Sequence, residues 1–209
     1  MEKRLAVVIA VLLFGAPVLA QTKESLPLMP WPARITTPAS GAVNIDANFI
    51  LTISGAGAAD PRVKAAAQRT LARLARQTGL PIRTNRPFEG RVVLQIIVER
   101  CDHKDPQKLG DDESYALKAA SGGVQLTADG PLGVVRGLET FLQLVQQNRS
   151  TRLGETVMPG FSVPYVDIHD QPRFPWRGLS LDVSRHFIPI EEMKRTIDGL
   201  AAVKLNVLH

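Results

Sequence analysis

The segment that most restricts the fold lies at the C-terminal end of the chain. Arg177 to Val183 reads as a short apolar strand. Pro189 then opens a helix with Ile190, Met193, Ile197 and Leu200 on one face, and Leu205-Asn206-Val207-Leu208-His209 reads as another strand. Glu191 and Glu192 fall in the first helical turn, where carboxylates are favourable against the helix dipole. A strand, helix, strand unit implies a parallel pair, because parallel strands need a crossover connection. One such pair leaves apolar faces and strand edges open, and exposed edges of this kind are normally closed or covered. The unit therefore predicts that the chain is the front part of a longer protein, and that residues 169–209 stay mobile while residues 21–168 fold.

Upstream the pattern is different. Leu26-Pro27-Leu28-Met29-Pro30-Trp31-Pro32 carries three prolines that fix φ and remove donors, so it is an extended lead-in. Gly41 to Ser54 alternates apolar and polar residues, as a half-buried strand or hairpin does. Asp60 is a good N-cap and Pro61 suits the first helical position. Val63, Ala67, Leu71 and Leu74 line one face of a helix that Gly79 ends. Its other face carries Arg62, Lys64, Arg69, Arg73 and Arg76, which reads as a solvated face rather than a phosphate-binding stripe. Arg91 to Val98 is nearly continuous apolar and predicts a strand inside the sheet, covered on both faces. Ser114 to Lys118 and Val124 to Thr127, across Ser121-Gly122-Gly123, predict a hairpin. Asp129-Gly130-Pro131 opens a second helix to about Gln147, with Leu132, Val135, Leu138, Phe141 or Leu142, and Val145 on its apolar face. This order gives a small α+β domain, a sheet with both helices on one face.

Several function classes drop out. With 44% hydrophobic, 22% charged and 5% aromatic residues, the 209-residue chain is too apolar for intrinsic disorder. The formal charge of +5 comes from scattered Arg and Lys without interleaved aromatics, which argues against nucleic acid as a partner. A single cysteine, Cys101, excludes an intrachain disulfide. Cys101, Asp102, His103 and Asp105 lack a spacing that would converge them on a metal, and no cofactor signature stands in the chain. Met1 to Ala20 has a charged start, an apolar run and a Pro17-Val18-Leu19-Ala20 ending, the pattern of a secretory signal peptide. Cleavage there leaves an exported protein, periplasmic or extracellular, with no membrane segment.

Three stretches carry a family resemblance: Asp112-Glu113-Ser114-Tyr115-Ala116-Leu117, then Arg136 with Gly137-Leu138-Glu139-Thr140-Phe141-Leu142-Gln143-Leu144, and Arg173 to Phe187, which reads RFPWRGLSLDVSRHF. Together with Lys204-Leu205-Asn206-Val207-Leu208-His209 they resemble the N-terminal part of the β-N-acetylhexosaminidases, glycoside hydrolase family 20. The resemblance implies an α+β domain over residues 26–168, followed from 173 to 209 by the start of a (β/α)8 catalytic barrel. Arg185 matches the family's arginine that hydrogen-bonds hydroxyls of the terminal N-acetylhexosamine, and a planar guanidinium fork suits a sugar diol. Asp182 and His186 belong to the same motif as candidates for orienting it. The implied partner is an N-acetylhexosamine-containing glycan: chitin, peptidoglycan or glycoconjugate fragments. In the family the substrate's 2-acetamido group attacks the anomeric carbon, assisted by an Asp-Glu pair. That pair belongs to a later part of the barrel, which takes ~250 residues, so no catalytic residue is expected in this chain and it should not cleave glycosides alone. A non-catalytic carbohydrate-binding or scaffolding module is the alternative.

Overall fold

A computed structural model of the chain describes residues 26–38, 40–82, 93–101, 107–148 and 160–209. The expected export signal, and Asp102, His103 and Asp105 of the weighed metal cluster, lie outside these residues. The elements in chain order are β1 (Arg34–Thr36), β2 (Ala42–Ile45), β3 (Leu51–Ser54), α1 (Pro61–Thr78), β4 (Leu94–Val98), β5 (Tyr115–Ala120) and β6 (Gly123–Ala128). They continue with α2 (Pro131–Leu144), β7 (Gln146–Gln147), β8 (Phe161–Pro164), β9 (Val166–Asp170), β10 (Gly178–Leu179), α3 (Ile190–Ala202) and β11 (Val207–Leu208).

The main sheet has six strands in the order β1-β9-β5-β6-β4-β3. It is parallel where β4 lies between β3 and β6 and antiparallel from β6 through β5 and β9 to β1. The β5–β6 hairpin forms as the Ser121-Gly122 turn requires, with Ala120 opposite Gly123. Over Gly41 to Ser54, where a strand or hairpin is expected, two strands form but do not pair with each other. β3 joins the main sheet beside β4, whereas β2 pairs antiparallel with β8 in a separate three-stranded sheet that β7 completes. Alternation signals a strand and leaves its partner open, and here the partners are distant in sequence. β4 has the expected interior position but one covered face. Leu94, Ile96 and Val98 are buried, Ile97 is half-buried and Gln95 is exposed.

α1 follows its sequence signals closely. The Asp60 side chain accepts the Arg62 backbone N–H at 2.8 Å, Pro61 takes the first turn, and Gly79 closes the helix at φ +71°, a left-handed conformation open to glycine. Of the basic stripe, Arg62 closes on Asp60 and Arg73 on Glu139 of α2. α2 departs from expectation in two ways. It ends at Leu144, because Gln146 and Gln147 pair with β8. Its buried residues include Val134, Arg136, Gly137, Leu138, Thr140, Phe141 and Leu144, while Leu132 and Val135 are half-buried. The helix is enclosed by the sheet and α1, so burial wraps around it instead of following a single stripe. Gly133 permits this close seat, since a Cβ there would lie 2.1 Å from the Ser114 carbonyl oxygen.

The last unit has the expected order and a parallel pair, Gly178 opposite Val207 and Leu179 opposite Leu208. The strand expected over Arg177 to Val183 shortens to two residues. α3 begins where Pro189 places it, yet its expected face is not buried: Ile190 and Ile197 are 65% and 49% exposed, and Met193 and Leu200 are half-buried.

Candidate functional site

β10 and β11 end side by side. The Leu181 N–H donates to the His209 carbonyl at 2.8 Å, and the His209 N–H to that of Leu179 at 2.9 Å. Beyond Leu181 the chain turns back, and Asp182 organises the turn. Its Oδ1 accepts the backbone N–H groups of Ser184 (3.0 Å) and Arg185 (2.9 Å), the self-capping habit of a short Asp side chain. Its Oδ2 accepts Arg185 Nε at 2.6 Å. The Arg185 backbone N–H, and then its guanidinium, hold the Asp182 carboxyl below the usual carboxylate range. Arg185 remains 90% exposed along its side chain, so a guanidinium fixed at Nε still presents donors outward. His186 enters through its backbone N–H, which donates to the Asp182 carbonyl at 3.3 Å, and its side chain is exposed. The structure thus brings Asp182 to Arg185 and leaves the imidazole outside that pair. Ser180 Oγ and His209 Nδ1, 3.3 Å apart, flank the same strand ends.

A second assembly was not foreseen from sequence. At the root of the same two strands, Glu113 Oε2 accepts Arg136 Nε and, at 2.6 Å, Arg177 Nη2. Arg177 ties the strands together: its Nε donates to the Lys204 carbonyl at 3.0 Å, and its backbone N–H to Asn206 Oδ1 at 2.9 Å. Beside it, Lys204 Nζ donates to Asp170 Oδ2 at 2.8 Å and to Tyr115 Oη at 2.7 Å. The phenol donates its single proton to Asp170 at 2.8 Å, so the Thr140 hydroxyl, 2.6 Å away, donates to the phenol. Burial, then the Asp170 charge, push the Tyr115 phenol upward, keeping it a neutral donor. Burial lowers the Lys204 ammonium, and Asp170 opposes that shift. A cavity of about 540 Å³ opens beside these groups, between Trp31 of the lead-in and Phe174 of the connector. The signal for this assembly was present in the sequence, because Glu113, Arg136, Arg177 and Lys204 each stand in one of the stretches that carried the resemblance.

Residues 28–144 match the family described as beta-acetyl hexosaminidase like, and residues 174–209 match the catalytic domain of glycosyl hydrolase family 20. The chain belongs to glycoside hydrolase family 20. Beta-hexosaminidase 1 of Arabidopsis thaliana is 31% identical over 195 residues, which cover 87% of this chain and 35% of that protein. The solved chitobiase of Flavobacterium johnsoniae is 36% identical with a TM-score of 0.73, over 88% of this chain and 26% of its own. A mutant Streptomyces plicatus β-hexosaminidase, solved with its product GlcNAc, is 26% identical with a TM-score of 0.64, over 88% of this chain and 34% of its own. The family 20 chain described here therefore spans about a third or less of the length of each of these relatives. Among the described residues no group of three or more His, Cys, Asp or Glu side chains stands together as a metal site.

Proposed function

We propose that these 209 residues supply the α+β domain and the first strand, helix, strand unit of an exported β-N-acetylhexosaminidase. The enzyme removes terminal non-reducing N-acetylhexosamine from chitin, peptidoglycan or glycoconjugate fragments by substrate-assisted, retaining hydrolysis. The observation that carries this reading is the placement of Arg185 just past β10, fixed at Nε by Asp182 and open at its remaining donors. Barrel enzymes work at the C-terminal ends of their strands, and Arg185 stands at that end. There it hydrogen-bonds hydroxyls of the terminal sugar, while Asp182 positions it. The role of His186 in this reading is confined to its backbone anchor in the turn. The 209 residues alone are inactive, because the Asp-Glu pair that handles the acetamido group and the leaving oxygen belongs to later barrel strands. Relatives that bear the hexosaminidase and chitobiase names, and the neighbour holding GlcNAc, support the substrate class.

The test uses the native product isolated from its own cells, with a chromogenic aryl N-acetyl-β-glucosaminide as substrate. A species longer than 209 residues that hydrolyses it is expected, with Arg185→Lys raising KM by ~10- to 100-fold, as loss of a charged, geometry-matched hydrogen bond does. An Arg185→Lys enzyme with unchanged KM would remove Arg185 from the sugar site. Binding of N-acetylglucosamine without hydrolysis, by a short signal-cleaved species, would replace the enzyme reading with the binding-module alternative.

A further inference from the structure

We infer that the α+β domain carries a two-carboxylate socket, Glu113 and Asp170, which captures the strand, helix, strand unit through Arg177 and Lys204 and orders it without further barrel strands. This does not rest on the hydrolase reading. The starting observation is an anomaly of burial. From Gln171 to His209 every residue is described, and the one that is buried is Lys204, at 6% exposure. A lysine is the residue type least suited to anchor a segment by apolar contact, so the contact between the α+β domain and this unit is not made by a buried apolar cluster.

The two sides of the interface differ in charge. The α+β domain contributes Glu113, Arg136 and Asp170 with the neutral Tyr115 and Thr140, a net negative site. The docked unit contributes the cations Arg177 and Lys204. Their side chains are nearly dry, with 5% exposure at Glu113, 15% at Arg177, 7% at Lys204 and 10% at Asp170. Coulomb attraction is weakly screened at such sites, and an unpaired buried charge is strongly unfavourable. Both carboxylates also have partners inside the domain. Glu113 keeps Arg136, and Asp170 keeps the Tyr115 hydroxyl and the Ala33 backbone N–H at 3.1 Å. A neutral hydrogen bond adds to the docking, from Gln143 of α2 to the Ala202 carbonyl at the end of α3 at 2.8 Å, and within the unit the Arg177 guanidinium donates to the Lys204 carbonyl. Both cations stand at the N-terminal roots of β10 and β11, so capture there fixes the strands whose opposite ends carry Arg185. The expectation from sequence that residues 169–209 are mobile rests on the open apolar faces, and this ionic root predicts the opposite outcome.

Hydrogen exchange on the whole chain tests the inference, because it needs no activity. In the parent protein the Leu181, Asn206, Val207 and His209 amides, each a donor within the unit, should be protected. Lys204→Met and Arg177→Met should each speed their exchange by about a hundredfold, while β4, β5 and β6 amides keep their protection. Both substitutions lie in the docked unit, and the β4–β6 amides report whether the domain beneath has folded. Exchange at the free-peptide rate in the parent would overturn the inference. So would unchanged protection in both variants, or a loss shared equally by β4–β6, which would make the cluster part of the general core.

Discussion

The α+β domain and the strand, helix, strand unit share one chain and have opposite ways of holding together. In the first, Phe141, Leu74, Leu94, Ile96, Leu117 and Leu126 are fully buried between the sheet and two helices. In the second, α3 buries no residue, and Phe187 and Ile190 stand 81% and 65% exposed. Non-directional burial stabilises the domain, whereas directional ion pairs and hydrogen bonds place the unit that carries Arg185. Truncating a large apolar side chain to alanine should therefore cost very different amounts on the two sides. Phe141→Ala should lower the unfolding free energy by about 3–5 kcal/mol, and Ile197→Ala on α3 should change it by less than about 0.5 kcal/mol. Urea denaturation followed by circular dichroism measures both. Equal costs would mean that α3 is packed in solution against something, and the comparison would fail.

A smaller effect sharpens the comparison inside the domain. Gly133→Ala drives a Cβ against the Ser114 carbonyl oxygen, a backbone atom at the start of β5 that cannot swing aside. Overpacking of this kind costs about 2 kcal/mol, measured by the same denaturation curves. Gly199→Ala in α3 meets nothing within 4 Å and gains helix propensity, so it should be neutral or stabilising. A glycine that is indispensable in α2 and replaceable in α3 is the packing difference reduced to one methyl group.

What could be read from sequence follows the same division. α1, with its Asp60 cap and Gly79 stop, and the β5–β6 hairpin were legible because their determinants are local. The destinations of β2 and β3 were not, since their partners β8 and β4 lie far along the chain. Of the face expected for α2, Leu138, Phe141, Leu142 and Val145 are buried, but burial extends beyond that stripe to Val134, Arg136, Gly137 and Thr140, because a helix enclosed on several sides loses its single face. At the candidate site Arg185 and Asp182 were legible as members of one motif, and the structure joins them as an ion pair while leaving the His186 side chain outside it. Glu113 with Arg177, and Asp170 with Lys204, were not, because 64 and 34 residues separate the partners and periodicity carries no information at that range. Buried ion pairs are visible in a sequence only as polar residues out of place, and Lys204 ahead of the strand residues Leu205, Val207 and Leu208 is one such position.

The smallest expected effect lies at the most exposed pair. Asp182 is held below the ordinary carboxylate range by the Arg185 backbone N–H and guanidinium, so its favourable contribution is complete above about pH 4 and is lost as pH falls through the lowered value. The pair is solvated, with Arg185 90% and Asp182 45% exposed, so overall stability should scarcely follow this titration. The local geometry should. The Arg185 Nε proton, bound to Oδ2, is the reporter: its NMR resonance should move toward the free-arginine position as acid protonates Asp182, and Asp182→Asn should produce a similar shift at neutral pH. Added salt near 1 M, where the Debye length is about 3 Å, should weaken the side-chain contact and spare the backbone N–H bonds of the turn. A proton that ignores both pH and the Asn substitution would show that Arg185 is placed by the chain around it and not by Asp182. If instead the proton responds while the urea midpoint stays fixed, the pair serves orientation at a site where burial contributes nothing, which is the property that separates this end of the molecule from the packed domain.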